Sequence, residues 1–133
     1  MRIAELMQTE VQTIPADARV SDAATTLADA RVSALPVVDD GGGLIGLIST
    51  TDILALEEEA ESERARDKVL DETPVRDVMT PTPVTISPEA DIREAARRIL
   101  DADVHRLIVT QGDRMLGIIS TTDIIRAVAT GQL

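Results

Sequence analysis

Gly46-Leu47-Ile48-Ser49-Thr50-Thr51-Asp52-Ile53 is written a second time as Gly117-Ile118-Ile119-Ser120-Thr121-Thr122-Asp123-Ile124, differing only at Leu47/Ile118. A match of that length within 133 residues marks an internal duplication, and a duplication changes the expected fold. Upstream, the offset grows from 71 (46 to 117) to 72 (35 to 107). Leu35 then aligns with Leu107, Ala23-Ala24 with Ala95-Ala96, Val20 with Ile92, and Thr13-Ile14 with Thr85-Ile86. The one-residue slip falls in a turn. Two copies are too few for a solenoid, so the expected arrangement is a pseudo-twofold pair closing on a common core. The copies divide the chain at residues 1–73 and 74–133.

Each copy mixes α and β. Val20, Ala23, Ala24, Leu27 and Ala28 recur at helical spacing, as do Ile92, Ala95, Ala96, Ile99 and Leu100, so each set predicts an amphipathic helix. Leu35-Pro36-Val37-Val38, then Asp39-Asp40-Gly41-Gly42-Gly43, then Leu44 to Ile48 reads as strand, turn and strand, with glycines supplying positive φ. Pro36 suits an edge strand or a position before a turn. Leu107 to Thr110, Gln111 to Arg114 and Met115 to Ile119 repeat the pattern. Ser49 and Ser120 are placed to cap helices starting at the Thr-Thr-Asp that follows. Short extended pieces are expected around residues 11–14 and 84–86. Each copy is therefore strand-helix-strand-strand-helix, an α/β (α+β) unit. Residues 55–73 have no counterpart and are strongly charged, and they read as the first copy's last helix running on into the connection. Glu61/Arg64 and Glu63/Arg66 stand at i,i+3 spacing on a solvated face. Nothing there resembles a calcium loop.

Composition removes several functions. Aromatic residues and cysteine are both absent. The core must therefore be aliphatic, bases have no ring to stack on, and there is no disulfide, thiolate metal site or cysteine nucleophile. A net charge of −11 repels a phosphate backbone, so nucleic acid is not an expected partner. Met1-Arg2-Ile3-Ala4-Glu5 carries no apolar signal core and no apolar run reaches bilayer length, so the expectation is a cytoplasmic protein with no membrane association. Lys68 is the sole lysine, which fits a saline cytoplasm or a GC-rich genome equally. Catalysis is not expected: there is one histidine, and no nucleophile elbow, His-Glu-x-x-His or phosphate-binding Walker loop is present.

The duplicated Gly-x-x-Ser-x-x-Asp at Gly46, Ser49, Asp52 and at Gly117, Ser120, Asp123 has two readings of equal weight. Serine at a helix N-cap with aspartate three residues on is nearly a capping box. A helix N-terminus with hydroxyls at the end of a strand is also an anion site, and the carboxylate can accept two ribose hydroxyls. Capping explains Ser and Asp fully, but it explains the repeated glycine and Thr-Thr less well.

Tandem copies of strand, helix, strand, strand, helix ending in Gly-x-x-Ser-x-x-Asp resemble a pair of CBS (cystathionine β-synthase) domains, the Bateman module. The resemblance covers roughly residues 5–54 and 77–128. Arg31 to Asp39 and Val104 to Val109 are similar to stretches of the γ regulatory subunit of AMP-activated protein kinase. The resemblance implies a regulatory sensor that binds an adenosine-containing ligand in clefts between the copies. Carried onto this chain, one cleft would use Asp123 for ribose, Ser120 and Thr122 near ribose or phosphate, Gln12, Val32 and Ser33 around the base and α-phosphate, and His105 and Arg106 for phosphate. The other would use Asp52, Ser49 and Thr51 with Val84 and Val104. The positions matching His105 and Arg106 are Ser33 and Ala34, which weakens that second site. Charge supports the same asymmetry without the family, because His105-Arg106 is the one adjacent basic pair near the repeated motifs.

The resulting expectation is AMP, ADP or ATP ahead of S-adenosylmethionine or NAD, with no required cofactor and no dedicated metal site. Binding would change conformation and signal to an effector protein. A small aliphatic domain gains from a partner, so a homodimer burying Ile53/Leu54 and Ile124/Ile125 is expected. Met7 and Met79, at matching positions before each copy, read as core filling ahead of cleft lining. The alternative is a structural dimerisation module with vestigial, unliganded clefts, in which Ser49, Asp52, Ser120 and Asp123 are helix caps alone.

Overall fold

The computed structural model describes residues 1–132. The chain packs as two units, residues 12–82 and residues 1–11 with 83 onward. Most of its buried apolar residues form two clusters, one within each unit.

In the unit of residues 12–82, β1 (Ile14–Pro15) is followed by α1 (Val20–Ala30), β2 (Ala34–Val38), β3 (Leu44–Ser49), α2 (Thr50–Glu58), α3 (Glu63–Glu72) and β4 (Thr80–Pro81). The sheet order is β1-β2-β3-β4, parallel between β1 and β2 and antiparallel elsewhere. Leu35 and Ile48 face each other across the β2–β3 hairpin and are fully buried with Val20, Ala23 and Val37. Pro36 lies in an interior strand and not at an edge, because β1 pairs only with Val37 and Val38 and asks nothing of the missing Pro36 N–H. The single helix expected over residues 55–73 is two helices. α2 ends at Glu58, and Ser62 opens α3 by accepting the Ala65 N–H at 3.1 Å on its Oγ. The cause lies in the Glu57-Glu58-Glu59 run, whose like charges have no basic i+4 partner before Ser62 offers a fresh cap. Among the described residues, Glu61/Arg64 and Glu63/Arg66 form no ion pair.

In the other unit, β5 (Thr85–Ile86) lies parallel to β6 (Arg106–Gln111), which forms a hairpin with β7 (Arg114–Ser120). α4 (Ile92–Ala102) and α5 (Thr121–Ala129) complete it. Leu107 and Ile119 are register partners and fully buried, matching Leu35 and Ile48. The hairpins differ where the alignment slips: residues 39–43 join β2 to β3, whereas Gly112 and Asp113 join β6 to β7. Gly42 (φ 83°) and Gly112 (φ 63°) supply the positive φ of these turns.

The packing units cut across the division at 73/74. The chain start folds onto the second copy: Ile3, fully buried, donates its N–H to the Ala90 carbonyl at 2.9 Å, and the Gln8 N–H and C=O bond Ile118 at 2.8 and 3.0 Å. The start of the second copy serves the first in the same way, with Val75 buried among Ile14, Val20 and Leu27, and Thr80 and Pro81 pairing with Leu47 and Gly46. The physical reason is the outer edge of each hairpin. β3 and β7 would otherwise present unpaired N–H and C=O groups, and these segments cover them. Met79 and Met7 pack on the clusters of residues 12–82 and of the other unit respectively, as the core reading required.

Ala28 and Leu100 depart from the expected helix faces: both are exposed, Leu100 at 79%. They sit in the last turn, where the chain leaves the helix through left-handed residues, Arg31 (φ 55°) and Asp103 (φ 54°). The next N–H, of Val32 or Val104, returns to the carbonyl of Leu27 or Ile99 at 3.1 or 3.2 Å, a Schellman closure. Glycine is the residue suited to that conformation. Asp103→Gly is therefore expected to stabilise the protein by about 1 kcal/mol, offset in part by the greater freedom of glycine in the unfolded chain. A urea midpoint at unchanged slope checks it.

Candidate functional site

The duplicated motif occupies the same place in each unit, the junction from the second hairpin strand into the following helix. In the second copy the backbone of Ser120 is extended (φ −118°) and its Oγ accepts the Asp123 N–H at 3.3 Å. Asp123 Oδ2 accepts the Ser120 N–H and Oγ–H at 2.9 and 3.0 Å. Ser49 and Asp52 make the same closed set at 3.2, 2.9 and 3.0 Å. The capping boxes are real, and each occupies one carboxylate oxygen.

The other oxygen distinguishes the copies. Asp123 is 6% exposed, and its Oδ1 accepts the Gln8 Nε2–H at 3.1 Å and lies 3.8 Å from Arg126 Nη1. Asp52 is half-buried, and among the described residues no side chain donates to its Oδ1. Thr80 stands where Gln8 does, and the residue three beyond Asp52 is Ala55, which offers no donor. Sequence reasoning missed both Gln8 and Arg126. Arg126 was readable, standing i+3 from Asp123 on a helix. Gln8 had no signal, since it lies 115 residues away from its partner.

The strand that opens each hairpin brings its first residues to the same junction. Arg106 pairs in register with Ser120, and the His105 carbonyl accepts the Thr121 N–H at 3.0 Å. In the first copy Ala34 pairs with Ser49, and the Ser33 carbonyl accepts the Thr50 N–H at 2.9 Å. At these two positions the second copy has an exposed histidine and a half-buried arginine, where the first has serine and alanine. Burial pushes the Arg106 pKa below its ordinary value, the desolvation cost of a half-buried cation. Arginine stays charged at neutral pH regardless, and a partly desolvated cation gains more from an anion than an exposed one does.

The remaining candidates fall as follows. Thr51 and Thr122 are exposed at the second positions of α2 and α5. Val84 and Val104 are half-buried and pack on the cluster of their own unit, and the Val84 carbonyl accepts the Ile108 N–H at 3.1 Å. Val32 and Ser33 are exposed between α1 and β2, and Gln12 is exposed near Thr26 and Asp29. Gln12, Val32 and Ser33 belong to the unit of residues 12–82, and His105, Arg106, Ser120, Thr122 and Asp123 to the other. The repeated glycine is explained by crowding. A Cβ on Gly117 would run into the backbone carbonyl oxygen of Gln8, and one on Gly46 would lie 2.5 Å from Met79 Sδ and 3.0 Å from the Thr80 carbonyl. Among the described residues no group of three or more His, Asp or Glu side chains could hold a metal ion, and no helix is long and apolar enough to cross a membrane.

A family model for the CBS domain matches this chain twice, over residues 3–59 and 75–130. The chain belongs to the CBS-domain family. It carries two CBS domains in tandem, and both matches begin with the leading segment that packs on the other copy's hairpin. Chloroplastic CBSX2 of Arabidopsis thaliana is 30% identical over 131 aligned positions, covering 81% of this chain and 54% of that protein. The γ-3 subunit of 5′-AMP-activated protein kinase of Sus scrofa is 32% identical over 100 positions, 74% of this chain and 20% of the subunit. The chain spans about half the length of the CBSX1 and CBSX2 proteins it matches. Among solved structures, CBSX2 in complex with AMP superimposes with a TM-score of 0.83 at 27% identity, covering 99% of this chain and 98% of that one. The CBS pair thus accounts for the duplication and for the α/β class of each unit.

Proposed function

We propose that this CBS pair is a regulatory module that binds an adenosine nucleotide, AMP, ADP or ATP, and passes the binding event to an effector protein through a change of conformation. One observation supports the reading: the backbone of His105 and Arg106 pairs with residues 120 and 121 at the strand-to-helix junction that carries Asp123, and the first copy has no basic residue there. The similarity to a CBSX2 structure that holds AMP supports it. In this reading Asp123 accepts the ribose hydroxyls, Ser120 and Thr122 contact ribose or phosphate, and His105 and Arg106 take phosphate. Asp52, Ser49 and Thr51 form the weaker counterpart, since Ser33 and Ala34 supply no cation. A basic pair favours phosphate over the cationic sulfonium of S-adenosylmethionine.

The reading includes a homodimer, on a surface narrower than the sequence suggested. Ile53 and Ile124 are buried in their own units at 7% and 9% exposure, which leaves Leu54, Ile125 and Val128 as the outward apolar residues of α2 and α5. The competing reading, a dimerisation module with unliganded clefts, draws on the completeness of the two capping boxes.

The absence of aromatic residues makes the test direct, because adenine absorbs in the near ultraviolet where this polypeptide does not. Purified protein is expected to carry an adenine band that leaves with a small molecule on denaturation, or to take up AMP in equilibrium dialysis. A flat spectrum, together with no uptake of AMP, ADP, ATP, S-adenosylmethionine or NAD, would leave the dimerisation module.

A further inference from the structure

We infer that Gln8 is an intramolecular occupant of the Asp123 carboxylate and sets the nucleotide affinity of the second CBS copy. The inference rests on the reading that this carboxylate accepts ribose hydroxyls. A carboxylate has acceptor capacity only, and Asp123 Oδ2 is already engaged by the Ser120 N–H and Oγ–H. Oδ1 is the oxygen left for a ligand, and the Gln8 Nε2–H occupies it at 3.1 Å. Asp123 is only 6% exposed, so an incoming diol competes with this amide for the oxygen.

The arrangement is built and specific to one copy. Two backbone hydrogen bonds between Gln8 and Ile118 hold residue 8 over Gly117, where the lack of a side chain admits its carbonyl. The Gln8 side chain can thus leave Asp123 while its backbone stays in place. The corresponding backbone bridge in the other unit, Leu47 with Thr80, carries a short side chain, and among the described residues no hydrogen bond joins Thr80 to Asp52. The two copies therefore differ in two opposed ways. The second has the cations for phosphate, and it also has an internal competitor for ribose. A nucleotide that engages His105-Arg106 strongly enough to displace Gln8 would loosen the side-chain link between the chain start and α5, which gives binding a structural consequence inside one unit.

The test uses AMP as the probe, counted by its adenine absorbance in equilibrium dialysis against wild type, Gln8→Ala, Asp123→Asn and the Gln8→Ala/Asp123→Asn double variant. Gln8→Ala keeps both backbone bonds to Ile118, and circular dichroism of each variant confirms the fold. The expected result is about tenfold tighter AMP binding in Gln8→Ala, the loss of one charge-assisted hydrogen bond that ligand must break, with the gain absent in the double variant. AMP binding that is unchanged in Gln8→Ala, while Asp123→Asn still weakens it, overturns the occupant role and leaves the nucleotide reading standing. Weaker binding in Gln8→Ala also overturns it, by showing that Gln8 is a contact to the ligand. No AMP bound by wild type or by Gln8→Ala overturns both.

Discussion

Asp123→Asn is expected to weaken AMP binding by about a hundredfold while costing the fold less than about 1 kcal/mol, and Asp123→Ala to abolish that binding at a stability cost of about 2 kcal/mol. The difference between the variants comes from the two carboxylate oxygens. An asparagine carbonyl can still accept the Ser120 N–H, which the aspartate receives at 2.9 Å, so the helix start survives. The amide that replaces Oδ1 faces Gln8, which can turn its own carbonyl toward it. What asparagine cannot do is accept both hydroxyls of a cis-diol with a full negative charge, and two charge-assisted hydrogen bonds of about 1.5 kcal/mol each correspond to the stated loss. Alanine goes further. It leaves the Ser120 N–H without a partner in a part-buried site and strips the cap from α5. A nucleotide lacking the 2′ and 3′ hydroxyls separates binding chemistry from damage to the fold. Against wild type it should lose about as much as Asp123→Asn loses with AMP, and against Asp123→Asn it should lose little more, because the two changes delete one interaction. Full additivity would place the diol elsewhere.

Gly117→Ala is expected to destabilise the protein by about 3 kcal/mol, at the upper end for overpacking, and Gly46→Ala by about 1 kcal/mol. The two glycines hold the same place in the duplicated motif, so the inequality tests the packing and not the motif. At Gly117 the added carbon meets the backbone oxygen of Gln8, which is tied on both sides by its hydrogen bonds to Ile118. Relief requires the chain start to lift away from β7, which removes two backbone bonds and loosens Ile3, Leu6 and Met7 from the cluster they complete. At Gly46 the nearest atom is the thioether of Met79, the far end of a flexible side chain, and only the Thr80 carbonyl at 3.0 Å must give way. Thermal or urea unfolding of the two variants measures the difference. Gly117→Ala should also break the Gln8–Asp123 bond, so comparison with Gln8→Ala shows how much of its effect is the backbone's own.

The legible part of this protein was the part that hydrogen bonds over a few residues. Ser49 with Asp52 and Ser120 with Asp123 close rings three residues apart, and the hairpin turns at Gly42 and Gly112 are as local, so composition and spacing were enough to locate them. The duplication carried the rest of the strand and helix order, and the charge contrast between His105-Arg106 and Ser33-Ala34 was visible once the copies were aligned. The break between α2 and α3 was missed because charged residues at mixed spacing suit one long helix or two equally well, and only the Ser62 cap and the packing of Leu70 on the core choose between them.

Tertiary structure alone decided which segment covers which hairpin, and with it the role of Gln8. Val75 belongs to the first copy's core and Ile3 to the second's. No periodicity reports such an exchange, because a leading segment satisfies its own apolar pattern equally well against either copy. What selects the pairing is the unpaired edge of β3 or β7 within reach of the chain, a property of folded strands. The sequence by itself determined that two like units would form and what chemistry each junction could offer. Only folding, by laying residue 8 across Gly117, decided that one of the two carboxylates would already be in use.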